Sequence, residues 1–186
     1  MTVTALDPNS ALIVIDLQNG IVSLPTVHPM DDVVKHAGAL IEGFRRHGMP
    51  VVLVNVAGSA PGRTEQPRGH REFPAGWTDL IPALNLQPQD HVVTKHTPGA
   101  FTNTGLEAHL RSLRVTQVVI VGVATSNGVE VTARQAYELG FNVTLATDAM
   151  TDLLADAHIF SVTRVFPRIG ETGTTQEIVD LLERCA

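Results

Sequence analysis

The sequence predicts an α/β fold of three layers, with helices on both faces of a six-stranded, mostly parallel, Rossmann-like sheet. Five short runs rich in β-branched residues are apolar almost throughout, as expected of strands that are covered on both faces. Helical patterns separate these runs, and parallel strands need such crossover connections. A chain of 186 residues with 44% hydrophobic residues is long enough for one well-buried domain, so we expect residues 1–186 to form a single domain.

The predicted strands follow one another along the chain. The first five are nearly continuous in hydrophobicity, and the sixth is weaker. They are ALIVID (11–16), VVLVNV (51–56), HVVTK (91–95), QVVIVG (117–122), NVTLAT (142–147) and FPRIG (166–170). A last helix, QEIVDLLERCA, follows, and Thr174 and Glu177 have the spacing of a capping box before it.

A helix is predicted between the first two strands, over residues 31–46. Its apolar residues recur at the three-and-four spacing of one helical face, and HGMP then ends it. A further helix is predicted in NGVEVTARQAYELG, where Asn127 and Glu130 again have capping-box spacing. This spacing predicts Asn127 as the N-cap, Gly128 as the first helical residue and Gly140 as the end of the helix.

The interval from Ala57 to Asp90 breaks this alternation of strands and helices. It contains GSAPGRTEQPRGHREFPAGW, which is rich in Gly, Pro and Arg and predicts a loop. A loop of this length in a compact domain is more often a lid or an interface segment than idle chain, and disorder is the alternative.

The composition argues against several classes of protein. A net charge of -6 and a pI near 5.7 do not fit a surface that binds nucleic acid, which needs clustered Lys and Arg. Cys185 is the only cysteine, which excludes an internal disulfide and zinc sites built on several cysteines. The start MTVTALDPNS lacks the features of a signal peptide, and no apolar run reaches the roughly 18 residues of a spanning helix. We therefore expect a cytoplasmic protein that binds neither nucleic acid nor membrane.

Polar residues close several of the predicted strands. In an open parallel sheet, ligands bind outside the carboxyl ends of the strands, which directs attention to Asp16, Lys95, the turn 122–128 and Asp148. Burial at a strand end would raise the pKa of Asp16, whereas Lys95 would hold this carboxylate ionised or stabilise an anion. A purely structural ion pair would leave the same pattern.

The turn before the helix at 127–140 is a second candidate for chemistry. It exposes backbone N–H groups and the positive end of a helix dipole, which favour a developing negative charge. A cysteine at the first position of such a helix would have a depressed pKa and be a ready nucleophile. This chain has Gly128 there. A glycine is also the ordinary residue of a tight strand-to-helix junction.

Three blocks of the sequence carry a family resemblance. ALIVIDLQNG, KHTPGAF and GVATSNGVEVTARQAYELGFNVTLATDAM, in this order and at this separation, resemble the isochorismatase-like hydrolase superfamily. This superfamily is also called the cysteine hydrolases and includes nicotinamidases, N-carbamoyl amidohydrolases and isochorismatases. The resemblance runs from about residue 10 to the last helix. It implies a parallel sheet in the order 3-2-1-4-5-6, with the active site at the strand ends.

The resemblance also implies catalytic roles. Asp16 matches the catalytic aspartate of the superfamily, and Lys95 matches its catalytic lysine. A non-proline cis peptide is implied between Val123 and Ala124, where it helps to build an oxyanion hole. Gly128 stands where the amidases have their nucleophilic cysteine and where isochorismatases proper often have glycine.

Isochorismatases cleave a vinyl ether, and this reaction does not need a thiol. An acid protonates the enol-ether carbon, and water captures the resulting oxocarbenium ion without a covalent enzyme intermediate. Glycine in place of a cysteine then leaves space for substrate or water and removes only the nucleophilic step. We therefore predict acid-catalysed hydrolysis of a vinyl ether such as isochorismate, with a different small ether, ester or amide as the alternative substrate.

Further residues are predicted to line the pocket or to shape it with their backbone. They are Gln18, in the D-x-Q position of the superfamily, Phe101, in a stretch that resembles its S-A-F, and Val123, Ala124, Thr125 and Asn127 of the turn. Substrate carboxylates would be anchored by loop arginines, unless these are merely solvated: Arg63, Arg68 and Arg71. Trp77 would line the pocket or pack at a subunit contact.

No metal or cofactor is expected. The nicotinamidases of the superfamily carry D-x-H and a further His after the second strand, but NVAGSAPGRTEQPRGH offers only His70. VGVATSNG does not match G-x-G-x-x-G, so dinucleotide binding has no support. The resemblance implies a homo-oligomer, either a dimer or a tetramer. Two other functions stay open: a ligand-binding relative that has lost its nucleophile, and an amidase that uses activated water.

Overall fold

The computed structural model describes residues 3–65 and 73–184. Its strands are β1 (Ser10–Ile15), β2 (Val51–Val56), β3 (His91–Lys95), β4 (Gln117–Val123), β5 (Asn142–Thr151) and β6 (Glu171–Gly173). They form one six-stranded sheet in the order β3-β2-β1-β4-β5-β6, and every neighbouring pair is parallel. The predicted fold class and strand order are confirmed, and the sheet is parallel throughout.

The two central strands, β1 and β4, are buried along their whole length. Their side chains point alternately to the two faces of the sheet. Within β1, Ile13 and Ile15 enter one core, and Leu12 and Val14 enter the other. Because both faces are covered, the strands need apolar residues at every position, which explains their unbroken hydrophobic runs.

The helices of the described residues are α1 (Asn19–Val22), α2 (Met30–Arg46), α3 (Leu106–Ser112), α4 (Glu130–Glu138), α5 (Ala155–Phe160) and α6 (Thr175–Arg184). Helices α2 and α6 pack on one face of the sheet, and α3 and α4 pack on the other. The helix predicted at 31–46 is α2, which buries one apolar stripe against the sheet. None of the helices in the described ranges has both the length and the apolar character needed to cross a membrane.

The last strand lies later in the chain than the sequence predicts. Residues 166–170 are the predicted strand, but Phe166–Arg168 form a 3₁₀ turn and β6 is Glu171–Gly173. Pro167 cannot donate a ladder hydrogen bond, and Phe166 is fully buried in the core. The prediction of a strand at 166–170 is therefore wrong.

The two predicted capping boxes have different outcomes. Before α6, the Glu177 carboxylate accepts the Thr174 N–H at 2.7 Å, and the Glu177 N–H donates to Thr174 Oγ1 at 3.2 Å, so this box is confirmed. Before α4 the prediction is wrong, because Thr125–Val129 form a π-helical turn and Asn127 is exposed rather than a cap. The carboxylate of Glu130 binds other side chains instead.

The interval from Ala57 to Asp90 is a loop over most of its described length, as predicted. Its described residues contain a short 3₁₀ turn and an isolated bridge from Leu80 to Gln18. Trp77 lies against α1, where the Gly20 N–H donates to the Trp77 carbonyl at 3.0 Å. A Cβ at Gly20 would lie 2.0 Å from the indole ring, so the absence of a side chain at this position lets the loop pack closely.

Candidate active site

Asp16 directly follows β1 and ends this strand. Its φ of 54° lies in the left-handed region, which Asp tolerates better than most residues. Its N–H still donates to the Val54 carbonyl at 2.9 Å, so the strand end is fixed. The residue is 6% exposed, and its Oδ1 has no hydrogen-bond partner among the described residues. One oxygen of the carboxyl group is therefore buried and unpaired among the described residues, which is unusual for a charged group.

Lys95 is the last residue of β3 and reaches across the end of β2 to Asp16. Its Nζ lies 2.9 Å from Asp16 Oδ2 and donates to the Pro98 carbonyl. Only 1% of its side chain is exposed. Each buried charge thus has a partner, which offsets part of the cost of removing it from water. The structure brings together the predicted acid and the predicted cation.

Burial raises the pKa of Asp16 from 3.8 to about 6. Loss of water around the carboxylate is the main cause, because the charged form is disfavoured in a low dielectric. The charge of Lys95 and its hydrogen bond lower the pKa and so limit the rise. A carboxyl group with a pKa of this kind exchanges its proton close to neutrality, which suits a general acid or base.

The chain leaves β4 through a cis peptide bond between Val123 and Ala124, as the resemblance implies. Gly122 precedes this bond with a φ of 115°, and a Cβ there would lie 2.0 Å from the Ile15 carbonyl oxygen. Only glycine fits at 122, because β1 passes so close to it. The π-helical turn begins directly after Ala124 and carries Gly128 to the carboxyl edge of the sheet.

Gly128 faces the Asp16 and Lys95 side chains across a narrow space. A Cβ at this position would lie 3.0 Å from Lys95 Nζ, 3.0 Å from Ile15 Cγ2 and 3.3 Å from Asp16 Oδ2. The φ of Gly128 lies outside the left-handed region, so the backbone does not demand glycine here. A side chain at 128 would point at the acid and the cation. Glycine keeps a side chain out of the contact between these two groups.

Thr132 links the two sides of the site. Its buried Oγ1 donates to the Gly128 carbonyl at 2.6 Å and accepts the Ala100 N–H at 3.1 Å. Ala100 belongs to the same loop as Pro98, whose carbonyl holds Lys95. Through one hydroxyl, α4 fixes both Gly128 and this loop. Sequence reasoning misses Thr132, although its position one helical turn after Gly128 is a signal that could have found it.

Two of the predicted pocket residues make their contacts within the protein. The amide of Gln18 accepts the Val56 N–H at 2.7 Å and donates to the Val56 carbonyl at 3.1 Å, so the backbone occupies its polar atoms. Phe101 packs against the core and stacks on Phe141, with ring centroids 6.1 Å apart. Asn127 is exposed at the surface of the turn.

Other residues that the sequence singles out make contacts with residues other than Asp16 and Lys95. Asp148 accepts the N–H of Thr175 at 2.7 Å and so caps α6. Arg63 is exposed, and Trp77 stacks on Phe73 with centroids 4.4 Å apart. Three predicted anchors or ligands lie outside the described residues: Arg68, His70 and Arg71.

Sequence reasoning also misses Asp152 and His158, which contact the turn after β4. The Ser126 N–H donates to Asp152 Oδ2 at 2.7 Å, and Thr125 Oγ1 lies 2.9 Å from His158 Nδ1. The partners are 26 and 33 residues apart in the chain, so no local pattern reports these contacts.

The site has no metal cluster in the part of the chain that the structure describes. Within those residues, no group of three or more His, Cys, Asp or Glu side chains could hold an ion. Two surface clefts lie elsewhere, one at the amino ends of β4 and β5 and one between α2 and the segment before β3. Neither cleft is lined by Asp16, Lys95 or Gly128, so these clefts do not define the candidate site.

Known proteins are similar to this chain in sequence and in fold. The family model of the isochorismatase domain matches residues 10–177. The chain belongs to the isochorismatase family. It is 38% identical over 182 residues to the uncharacterized isochorismatase family protein YecD of Escherichia coli O157:H7, covering 93% of this chain and 96% of YecD. It is 37% identical over 178 residues to the uncharacterized family protein YwoC of Bacillus subtilis strain 168, covering 92% of this chain and 93% of YwoC.

A solved structure and two relatives named for an activity extend this result. An isochorismatase family protein from Burkholderia thailandensis superimposes with a TM-score of 0.92 at 40% identity, over 96% of this chain and 98% of that one. Nicotinamidase 3 of Arabidopsis thaliana is 31% identical over 162 residues, covering 82% of this chain and 79% of that protein. Streptothricin hydrolase of Streptomyces noursei is 35% identical over 140 residues, covering 75% of this chain and 48% of that protein. The protein is a hydrolase of the isochorismatase family.

Proposed function

We propose that the protein hydrolyses a small vinyl ether of the isochorismate type without a covalent enzyme intermediate, and that Gly128 stands in place of a nucleophilic cysteine. One observation carries the proposal: a Cβ at Gly128 would come within 3.0 Å of Lys95 Nζ and 3.3 Å of Asp16 Oδ2. Residue 128 thus faces an acid and a cation directly and presents no nucleophile to them. This arrangement supports protonation followed by attack of water.

Asp16 is the general acid of the proposed reaction. Its protonated carboxyl gives a proton to the terminal carbon of the vinyl ether, and the electron pair of the C=C bond forms the new C–H bond. The substrate becomes an oxocarbenium ion, and Asp16 becomes a carboxylate. Water then adds to the cationic carbon and returns a proton to Asp16, after which the hemiketal breaks into an alcohol and a keto acid. No bond to the protein forms at any step.

Lys95 tunes this acid electrostatically. Its Nζ lies 2.9 Å from Asp16 Oδ2, so it stabilises the carboxylate that proton transfer creates. The interaction is stronger with the charged carboxylate than with the neutral acid, and it therefore lowers the barrier to proton transfer. Burial acts in the opposite direction, because it disfavours the charged form, and the two effects leave the pKa of Asp16 at about 6.

The test uses isochorismate as the substrate and released pyruvate as the readout. Asp16→Ala is expected to lower the rate at least about a hundredfold, since a general acid typically contributes this much or more. Asp180→Ala is the matched control, because Asp180 is an exposed aspartate on α6. Equal rates for the wild type and Asp16→Ala would contradict the catalytic role. Saturable binding of isochorismate without turnover would instead support the ligand-binding alternative.

The raised pKa of Asp16 predicts the direction of the pH dependence. Because the proposed acid must carry its proton, kcat/KM is expected to be highest below about pH 6. It should fall by about tenfold for each pH unit above the pKa of the free enzyme. A profile of kcat/KM against pH checks this expectation, and a flat profile through neutrality would argue against Asp16 as the acid.

A second candidate function is hydrolysis of a small amide by activated water. The similarity to nicotinamidase 3 favours it, and Asp16 would then act as the base. Gly128→Cys restores a thiol at 128, where Cβ contacts of 3.0 to 3.3 Å require its neighbours to shift slightly. If the wild type and this variant both fail to hydrolyse nicotinamide and N-carbamoyl amino acids, these amides are excluded as substrates.

The chain is further proposed to form a dimer or a tetramer in the cytoplasm. Large apolar side chains are 45% to 63% exposed in and beside α5: Leu153, Leu154, Ile159 and Phe160. A second copy that covered this surface would remove it from water, which favours association. Light scattering on the wild type and on Phe160→Ser tests the idea. An oligomer that weakens in the variant supports it, and a monomeric wild type contradicts it.

A further inference from the structure

The turn after β4 is held by two side chains from the end of β5 and from α5. Thr125 is fully buried, and its Oγ1 lies 2.9 Å from His158 Nδ1. At the next residue, the Ser126 N–H donates to Asp152 Oδ2 at 2.7 Å. The proposed reaction assigns no role to His158 or Asp152, although both act on the turn that carries Gly128.

A second imidazole lies beside His158. The rings of His28 and His158 meet edge to face with centroids 4.7 Å apart, and His28 Nδ1 lies 3.1 Å from Thr151 Oγ1. Burial lowers the pKa of His158, and the neighbouring His28 lowers it further, while Asp152 opposes the shift. Both of the lowering effects favour the neutral imidazole, which can share a hydrogen bond with the Thr125 hydroxyl through Nδ1.

Thr125 is coupled to Gly128 through the backbone of the π-helical turn. The Glu130 N–H donates to the Thr125 carbonyl, so Gly128 lies inside a hydrogen-bonded turn that begins at Thr125. A displacement of Thr125 would move Gly128 relative to Asp16. A Cβ built on Gly128 would lie only 3.3 Å from Asp16 Oδ2, so the two residues are close enough for small movements of the turn to matter.

We propose that His158 is a positioning residue of the active site, which fixes the turn bearing Gly128 opposite Asp16 through the contact of its Nδ1 with Thr125. In this role it touches no reacting atom. Its effect on turnover rests on the proposed function, whereas its effect on the position of the turn does not.

Two substitutions of His158 separate its Nδ1 contact from its bulk. Asparagine carries its amide at the distance of Nδ1 from Cβ, whereas glutamine carries its amide near the position of Nε2. His158→Asn is therefore expected to keep the bond to Thr125, and His158→Gln is expected to lose it. Thr125→Val removes the bond from the other side, and Thr125→Ser keeps it. Thr144→Val is the control, since it removes an equally buried hydroxyl near the amino end of β5.

The first readout is the pair of amide ¹H–¹⁵N resonances of Ser126 and Gly128, which need no substrate. His158→Gln and Thr125→Val are expected to shift both resonances. His158→Asn, Thr125→Ser and Thr144→Val are expected to leave them close to the wild type. A Gly128 resonance that stays in place in either His158→Gln or Thr125→Val would overturn the proposal, and each variant guards against poor folding of the other.

The second readout is kcat and KM with isochorismate. His158→Gln is expected to lower kcat about tenfold with little change in KM, because a displaced turn harms the geometry of reaction more than binding. His158→Asn should restore most of kcat, and equal losses in the two variants would contradict a role of Nδ1. If the wild type does not turn over isochorismate, the proposed function fails, and the resonances of Ser126 and Gly128 still decide the role of His158.

Discussion

The two halves of the candidate active site are held in place by different forces. On the side of β1 and β3, Asp16 and Lys95 form a buried ion pair with a 2.9 Å contact. On the side of β4, the turn Thr125–Val129 is held by the contact of Thr125 with His158 and by the Ser126 N–H, which donates to Asp152. Substitutions that change a charge should therefore disturb the first half most, and substitutions that change the shape of a side chain should disturb the second half most.

Two glycines near the end of β4 differ in a similar way: a Cβ on one would meet the backbone, and a Cβ on the other would meet side chains of the candidate site. Gly122 has a φ of 115°, and a Cβ there would overlap the backbone of Ile15. Gly128 has no such φ, and its Cβ would meet the side chains of Asp16 and Lys95. The first glycine is required by the backbone, whereas the second keeps a side chain away from the two charged groups. Only the neighbours of each glycine distinguish the two cases.

The largest expected effect comes from removing the acid of the charged half. Asp16→Asn keeps the shape of the side chain but cannot transfer a proton, so kcat for isochorismate should fall by about a thousandfold. It also leaves Lys95 as a buried charge without its anion, which lowers the stability of the fold. Pyruvate release and thermal unfolding measure the two effects. Activity within tenfold of the wild type would place the acid elsewhere.

The two glycines provide the next test. Gly122→Ala is expected to destabilise the protein by about 3 kcal/mol or more, since the backbone conformation and the contact with β1 both oppose a side chain. Gly128→Ala should cost less stability than Gly122→Ala, because only side chains must shift to accept its methyl group. It should lower kcat about tenfold, because the methyl group crowds Asp16 and Lys95. Denaturant unfolding and pyruvate release separate the two outcomes. Similar losses of stability in both variants would contradict the distinction between a glycine that the backbone requires and one that it does not.

Lys95→Met tests whether charge tunes the first half. Without the cation, nothing opposes the effect of burial, so the pKa of Asp16 should rise further above 6. An opposite charge at this distance typically changes a carboxyl pKa by about 1 to 3 units. The falling limb of kcat/KM should move to higher pH by this amount. A limb that stays in place would show that Lys95 does not set the pKa of the catalytic group.

The smallest effect on activity is expected at the capping box of α6, which lies outside both halves. Thr174→Ala removes the hydroxyl that accepts the Glu177 N–H and should cost about 1 kcal/mol of stability. Turnover of isochorismate should not change at a temperature where the variant is fully folded. A large loss of activity would mean that α6 influences the site through a route that these contacts do not explain.

The fold was predictable because its signals are local. The bounds of β2 and β3 match the predicted runs at 51–56 and 91–95, since buried strands need apolar residues at successive positions. The predicted position of the sixth strand is wrong, because the apolar character of Phe166 reflects burial in a 3₁₀ turn rather than in a strand. The predicted start of α4 is wrong because a π-helical turn precedes the helix, and capping-box spacing does not report that turn.

The sequence by itself determined which residues stand at the strand ends, and therefore that Asp16 and Lys95 could meet. By resemblance, it also predicts that Gly128 stands where the amidases of the superfamily have their nucleophilic cysteine. Only the tertiary structure decided that Asp16 is buried enough for its pKa to rise to about 6, and that residue 128 points at both charged groups. The contact between Thr125 and His158 is also visible only in the tertiary structure. Burial and distance arise when segments far apart in the chain pack together, so local patterns of residues cannot specify them.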